Sequence, residues 1–196
     1  GGDALESTTG NSTGITGNDD RTVITVWQNT GFTGQNYQHT FHMGSTVTNG
    51  AYGHSTSRAA NAGSTIGNHY WGAGYDTVGR ADLTSNIAIS TWSGAVTTDT
   101  WYLKGVLAGS SVRSALVTGT DQIQIGSRLS PFTEGFTGYL TEVIVYDEVL
   151  SAADRRAIEH YLGVKYGMAG NLNASQYTLN GSAAEGIDFI RLANGG

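Results

Sequence analysis

The densest run of chemistry-bearing side chains is His69-Tyr70-Trp71, followed by Tyr75, Asp76 and Arg80 and interleaved with Gly72, Gly74 and Gly79. Flat rings pack against the apolar faces of sugars while Asp and Arg take the hydroxyls, so His69, Tyr70, Trp71, Tyr75, Asp76 and Arg80 form a candidate recognition patch. The competing reading is that Trp71 and Tyr75 cap a hydrophobic core. Glycoside hydrolysis needs two carboxylates ~5–5.5 Å apart for retention or ~6.5–9.5 Å for inversion. The nearest cluster is Glu142 with Asp147 and Glu148, and of these only Glu142 falls inside a strand-like run. No Gly-x-Ser-x-Gly elbow presents a nucleophilic serine. His39 and His42, three apart in a β-type run, are expected on opposite faces and are poor joint metal ligands. His54 and His69 could approach Asp76 through loops.

The elements that must position these groups are short β-type runs separated by Gly, Asn, Ser and Thr clusters: 22–28, 37–43, 87–93, 101–107, 111–118, 122–126 and 138–146. That spacing predicts an all-β sandwich. In 37–43, Tyr37, Phe41 and Met43 alternate with Gln38, Thr40 and His42, the period of a strand with one buried face. In 138–146, Leu140, Ile144 and Tyr146 fall on one face and Tyr139, Val143 and Val145 on the other, which predicts a central strand. Residues 50–82 read as long loops around one or two short strands, and loops of that length in a compact domain are usually either functional or disordered. One helix is expected, 152–165, capped by Ser151 with Asp154 three residues on. Its apolar face is Ala157, Ile158, Tyr161 and Leu162, with Asp154, Arg155, Arg156 and Glu159 pointing away. After Gly167 the chain turns Gly- and Asn-rich, with two late strand-like runs at 176–179 and 187–192 that could add edge strands here or on a neighbour.

Composition bounds what this architecture can serve. The chain has 196 residues, 29 Gly, 1 Pro, no Cys and a net charge of −6. At roughly 100–200 residues per domain, that length suits one domain, 1–167, plus a C-terminal extension, 168–196. Charged residues make up 13%, about half the usual ~25%. No basic run could displace counterions from a phosphate backbone, so nucleic acid is not an expected partner. Apolar stretches fall far short of the ~18–20 residues that span a bilayer, so no membrane insertion is expected. The absence of Cys excludes disulfides, thiolate zinc sites and thiol catalysis.

The segment Phe136-Thr-Gly-Tyr-Leu-Thr-Glu-Val-Ile-Val-Tyr-Asp-Glu-Val-Leu-Ser151, running into the helix that ends at Gly167, closely resembles the closing strand, turn and helix of laminin G-like jelly rolls. These belong to the concanavalin A-like lectin/glucanase superfamily. Asp19-Asp-Arg-Thr-Val-Ile-Thr-Val-Trp27 resembles the family's early core strand, and Asp99-Thr-Trp-Tyr-Leu103 through Ile123-Gln-Ile-Gly-Ser127 its middle strands. The resemblance covers about residues 3–167. It implies a two-sheet antiparallel jelly-roll sandwich with one short C-terminal helix. The superfamily's β-glucan-cleaving enzymes carry a Glu-x-Asp-x-x-Glu strand that is missing here, so the chain is expected not to be an enzyme.

Many lectins and laminin G-like modules hold calcium through loop oxygens, and Ca²⁺ wants six to eight of them. The resemblance therefore makes Asp19, Asp20 and Asp121 the candidate calcium ligands. The favoured function is a non-catalytic recognition or adhesion module on a secreted, cell-surface or virion protein, binding glycan or a protein partner through surface loops. The first alternative is a structural subunit of a large assembly, such as a phage capsid decoration, a tail-associated protein or an extracellular filament, docking on neighbouring subunits through 168–196. The second is a glycan-cleaving enzyme.

Overall fold

The computed structural model describes residues 4–31, 37–58, 66–72, 84–128 and 134–172. Its strands are β1 Leu5–Glu6, β2 Arg21–Asn29, β3 Tyr37–Gly44, β4 Ala51–Arg58, β5 Gly67–His69, β6 Ser85–Ser93, β7 Thr98–Leu103, β8 Val106–Val112, β9 Gln124–Ile125 and β10 Gly138–Tyr146. They form two five-stranded antiparallel sheets, ordered β1-β9-β3-β4-β5 and β10-β2-β6-β7-β8. The helix α1 spans Ala152–Lys165 and is followed by a short 3₁₀ turn, Ala169–Asn171. This is the two-sheet sandwich with one C-terminal helix that the residue pattern predicts. Among the described residues no helix is long and apolar enough to cross a membrane.

Alternation along β2 builds the layers. Val23 and Trp27 face the opposite sheet and pack with Phe41, Met43, Tyr52 and Trp92 or with Ile66 and Trp101. Ile24 and Val26 face outward and meet Leu162 of α1, together with Ile87 and Ile89 of β6. Strand β2 is thus apolar on both faces because both are covered.

Several local expectations change. The run 101–107 is a hairpin: Leu103 pairs with Val106, and the two linking residues, Lys104 and Gly105, both have positive φ (51° and 79°). Two-residue hairpin loops demand that backbone. Within 50–82 the one or two expected short strands are β4, eight residues long, and β5, of three. Strand β10 lies at a sheet edge rather than the centre, and it is apolar on both sides because the other sheet covers one face and α1 the other. A bulge between Leu140 and Glu142 turns Leu140 to the inner face, opposite Trp27, and away from Ile144 and Tyr146. On α1, Ser151 Oγ accepts from Asp154 N as expected, but the buried face is rotated. Arg155 and Glu159 are buried as an i,i+4 ion pair of 3.1 Å with the guanidinium 3.5 Å from the centre of the Tyr102 ring, while Tyr161 is exposed. The aromatic ring below the helix makes a guanidinium a better filler than the sequence pattern suggests.

Met168 and Leu172 pack with Leu162, so the chain remains attached to the core past Gly167. The late runs 176–179 and 187–192 lie outside the described residues.

Candidate functional site

The site begins with two irregularities in β3. Its pairing with β4 shifts between Tyr37 and His39 and again between His39 and Phe41. The first shift adds a residue to β4 and the second adds one to β3, which flips the parity of the β3 residues before it. His39 and His42 therefore share the outer face, with ring centroids 5.9 Å apart, and the expectation that they diverge is corrected. The same shifts separate Tyr37 from Phe41 and Met43: Tyr37 stacks on His69 at 4.9 Å, outside the sandwich, while Phe41 and Met43 lie in the inter-sheet core.

Register then draws a row across the outer face. Glu6 pairs with Gln124, Gln124 with His42, His42 with Gly53, and Gly53 with His69. Four spacings of ~4.8 Å make this row about 19 Å long. At its centre, a methyl group on Gly53 would lie 3.1 Å from Cδ2 of both His39 and His42, so the glycine lets the two imidazoles lie over the strand. His39 Nδ1 is 3.5 Å from a Glu134 carboxylate oxygen, but neither its nitrogens nor those of His42 make a hydrogen bond. Burial, reinforced by Arg128 and His69, pushes His42 down to about 3. His39 is pushed well below the ordinary value by burial and by His42.

At the β5 end stands Arg128, which no motif singled out. Its guanidinium lies 4.6 Å from the Trp71 ring centre and 5.6 Å from that of Tyr37. Nη1 donates to His69 Nδ1 at 2.8 Å, and Nε lies 2.6 Å from Glu134. Burial, then Arg128, lowers His69 to about 3, so its ring is the neutral acceptor this bond requires. Trp71 and Glu134, both in contact with Arg128, hold positive φ of 52° and 58°. Such backbone costs of order 1–3 kcal/mol per non-glycine residue and persists only where the surrounding contacts hold it. The signal for Arg128 was there to be seen: a lone charge at the end of a β-type run in a chain of low charge.

At the β1 end a cleft of about 230 Å³ is lined by Glu6, His42, Thr46, Asp121, Gln122 and Gln124. Gln124 Nε2 donates to Glu6 Oε2 at 2.6 Å, and Asp121 is exposed at the rim.

The structure distributes the sequence-derived candidates as follows. His69 and Trp71 come together on the outer face, 5.8 Å between centroids. Tyr70 turns inward, 1% exposed, and its hydroxyl donates to Asp99. Tyr75, Asp76 and Arg80 lie outside the described residues. His54 faces inward and pairs with Asn68, so it does not approach His69. Asp19 accepts from Thr16 N and Asp20 from Gly94 N, both in turns, whereas Asp121 belongs to the cleft beside His42. Among the described residues no three His, Asp or Glu side chains gather to hold a metal ion. Glu142 accepts from Lys165 Nζ at 2.9 Å and Tyr166 OH at 2.7 Å. Partial burial opposes its ionisation, but these two hydrogen bonds outweigh it and hold the carboxyl below its ordinary value. Glu142 thus fastens α1 to β10.

No protein-family model matches the chain, and no curated protein matches it. Solved structures do. The CBM40 domain of the Ruminococcus gnavus IT-sialidase bound to α2,3 sialyllactose aligns with a TM-score of 0.58 at 14% identity, over 78% of this chain and 92% of that one. The heptameric SAP-like pentraxin of Limulus polyphemus aligns at 0.58 and 15%, over 76% and 71%. A leech intramolecular trans-sialidase aligns at 0.54 and 15%, over 77% of this chain and 26% of that one. These likenesses define the fold class: the chain is a two-sheet antiparallel jelly-roll sandwich.

Proposed function

We propose that this chain is a non-catalytic glycan-recognition module, exposed outside the cell and built on the laminin G-like variant of the sandwich. Its glycan lies across the outer face of the β1-β9-β3-β4-β5 sheet. The observation that carries the reading is the polar row from Glu6 to His69, with two buried imidazoles whose nitrogens make no hydrogen bond. Buried polar groups are nearly always paired, so each exception asks for an explanation, and on this outer face the explanation we adopt is a ligand. At one end Trp71 and Tyr37 supply half-buried rings, with the planar donor Arg128 between them. The likeness to a domain crystallised with sialyllactose supports a saccharide over a protein partner.

The test is a glycan array probed with the intact chain and with Trp71→Ala. Retention of a defined set of glycans by the intact chain, weakened about tenfold or more in the variant, supports the reading. Failure of the folded chain to retain any glycan overturns it.

A further inference from the structure

The two ends of the outer face differ in charge. Around Trp71 the face carries a guanidinium balanced by the Glu134 carboxylate 2.6 Å from its Nε. The cleft at the other end is lined by two carboxylates, Glu6 and Asp121, and by no lysine or arginine. An acidic cluster alone specifies nothing, but here it borders His42, which is 2% exposed and has no hydrogen bond at either ring nitrogen. The ring's orientation follows from its neighbours. Cδ2 lies on the Gly53 side, so the Nδ1 edge turns toward β9 and the cleft. Held neutral, this imidazole offers one acceptor and one donor. The amides of Gln122 and Gln124 and the hydroxyl of Thr46 add groups of both kinds.

The volume limits what can enter. At about 230 Å³ the cleft is smaller than the ~300–1,000 Å³ pockets of drug-sized ligands, which suits a single sugar ring. Neutral donors and acceptors on the walls match ring hydroxyls, and the carboxylates at the rim match one positive charge. A sugar carboxylate would face Glu6 and Asp121 with no cation to offset them.

Building on the glycan reading, we infer that the cleft between Glu6, His42 and Asp121 is a subsite for a hexosamine with a free ammonium group. The ammonium lies between the Glu6 and Asp121 carboxylates, and a ring hydroxyl meets His42. The remaining sugars run along the row toward Trp71.

The probes are a glucosamine oligosaccharide and its fully N-acetylated counterpart, titrated calorimetrically into the intact chain. Acetylation removes the charge and keeps the ring. The expected result is about tenfold tighter binding of the free amine. That preference should vanish in the double variant Glu6→Gln, Asp121→Asn, which preserves shape and leaves an amide oxygen to accept from Gln124. A second double variant, Asp147→Asn with Glu148→Gln, removes the same charge at an exposed turn and should keep the preference, separating a local site from attraction to an acidic protein. Perturbation of the His42 ring nitrogens in ¹⁵N spectra on adding the amine reports the site directly. Equal affinity for the two oligosaccharides, or a preference that survives the Glu6/Asp121 variant, overturns the subsite while leaving Trp71-dependent glycan binding intact. An array on which no glycan is retained overturns both readings.

Discussion

The inner and outer faces of one sheet carry histidines in adjacent rungs of the same ladder, and the two are treated in opposite ways. His54, paired with Phe41, faces the other sheet: Nε2 is 2.6 Å from Ser90 Oγ and Nδ1 is 3.2 Å from Thr25 Oγ1. A single tautomer satisfies the group, with Nε2–H donating to Ser90 and Thr25 donating to Nδ1. Beside it Asp99, 1% exposed, accepts from Tyr52, Asn68, Tyr70 and Trp101. His42, one rung along and equally buried, has nothing. Both imidazoles sit at about 3, chiefly through burial, so protonation does not distinguish them. What distinguishes them is pairing. The paired His54 and Asp99 belong to the fold, and the unpaired imidazoles on the adjacent face are what the proposed site rests on.

Acid gives the largest expected effect. Free imidazoles titrate near 6.5, whereas His42, His54 and His69 are held at about 3 in the fold. A depressed folded value means that the stabilisation is complete above the unfolded value and is lost as pH falls from 6.5 toward 3. Each group costs up to ~1.4 kcal/mol per pH unit in that window. Urea midpoints measured at pH 7, 5.5 and 4.5 should therefore drop steeply. Replacing any one of these histidines by Gln should make the drop shallower by about one proton's worth.

Next in size is Asp99→Ala. It strands the hydroxyls of Tyr52 and Tyr70, the Asn68 amide and the Trp101 indole inside the sandwich. The expected loss is about 3–5 kcal/mol in denaturant unfolding. A loss below about 1 kcal/mol would mean that the Asp99 network is not the structural unit described above.

The sharpest comparison is between His54→Leu and His42→Leu. The first leaves Ser90 and Thr25 short of a partner and should cost about 1–3 kcal/mol. The second removes polar atoms that had no partner, so stability should change little or rise, while glycan retention falls. If the two variants were equally destabilised, the distinction between the faces would collapse.

Much of the framework was legible because burial writes itself as alternation. The strand around Val23–Trp27 and the capped helix follow from residue types and period alone. Three features were not legible, each for a local reason. The Lys104-Gly105 hairpin hid in a continuous β-type run, although Gly105 was its one signal. The bulges in β3 and β10 add a residue that leaves no compositional trace, yet each reverses which side chains share a face. His69, Tyr70 and Trp71 were read together as one loop patch, but strand alternation sends Tyr70 inward to Asp99. Tyr37, His69 and Arg128 come from β3, β5 and the segment after β9, and only register brings such distant positions together.

The smallest stability effect tests the outer face most finely. Gly53→Ala adds a methyl 3.1 Å from the imidazoles of His39 and His42 and 3.4 Å from the Phe41 carbonyl, so the rings must yield by a few tenths of an ångström. They can yield, because no hydrogen bond holds either one. Losing a glycine from a strand also restricts the unfolded chain, worth about 0.5–1 kcal/mol. The two effects should nearly cancel, leaving stability within about 1 kcal/mol of the parent. Recognition should not cancel in the same way. A displaced His42 moves its Nδ1 edge relative to the Glu6 and Gln124 side of the row, and a site misplaced by a fraction of an ångström loses alignment with its ligand. Calorimetry should therefore show glycan affinity down about tenfold at unchanged thermal stability. Retained affinity would place the binding surface away from Gly53.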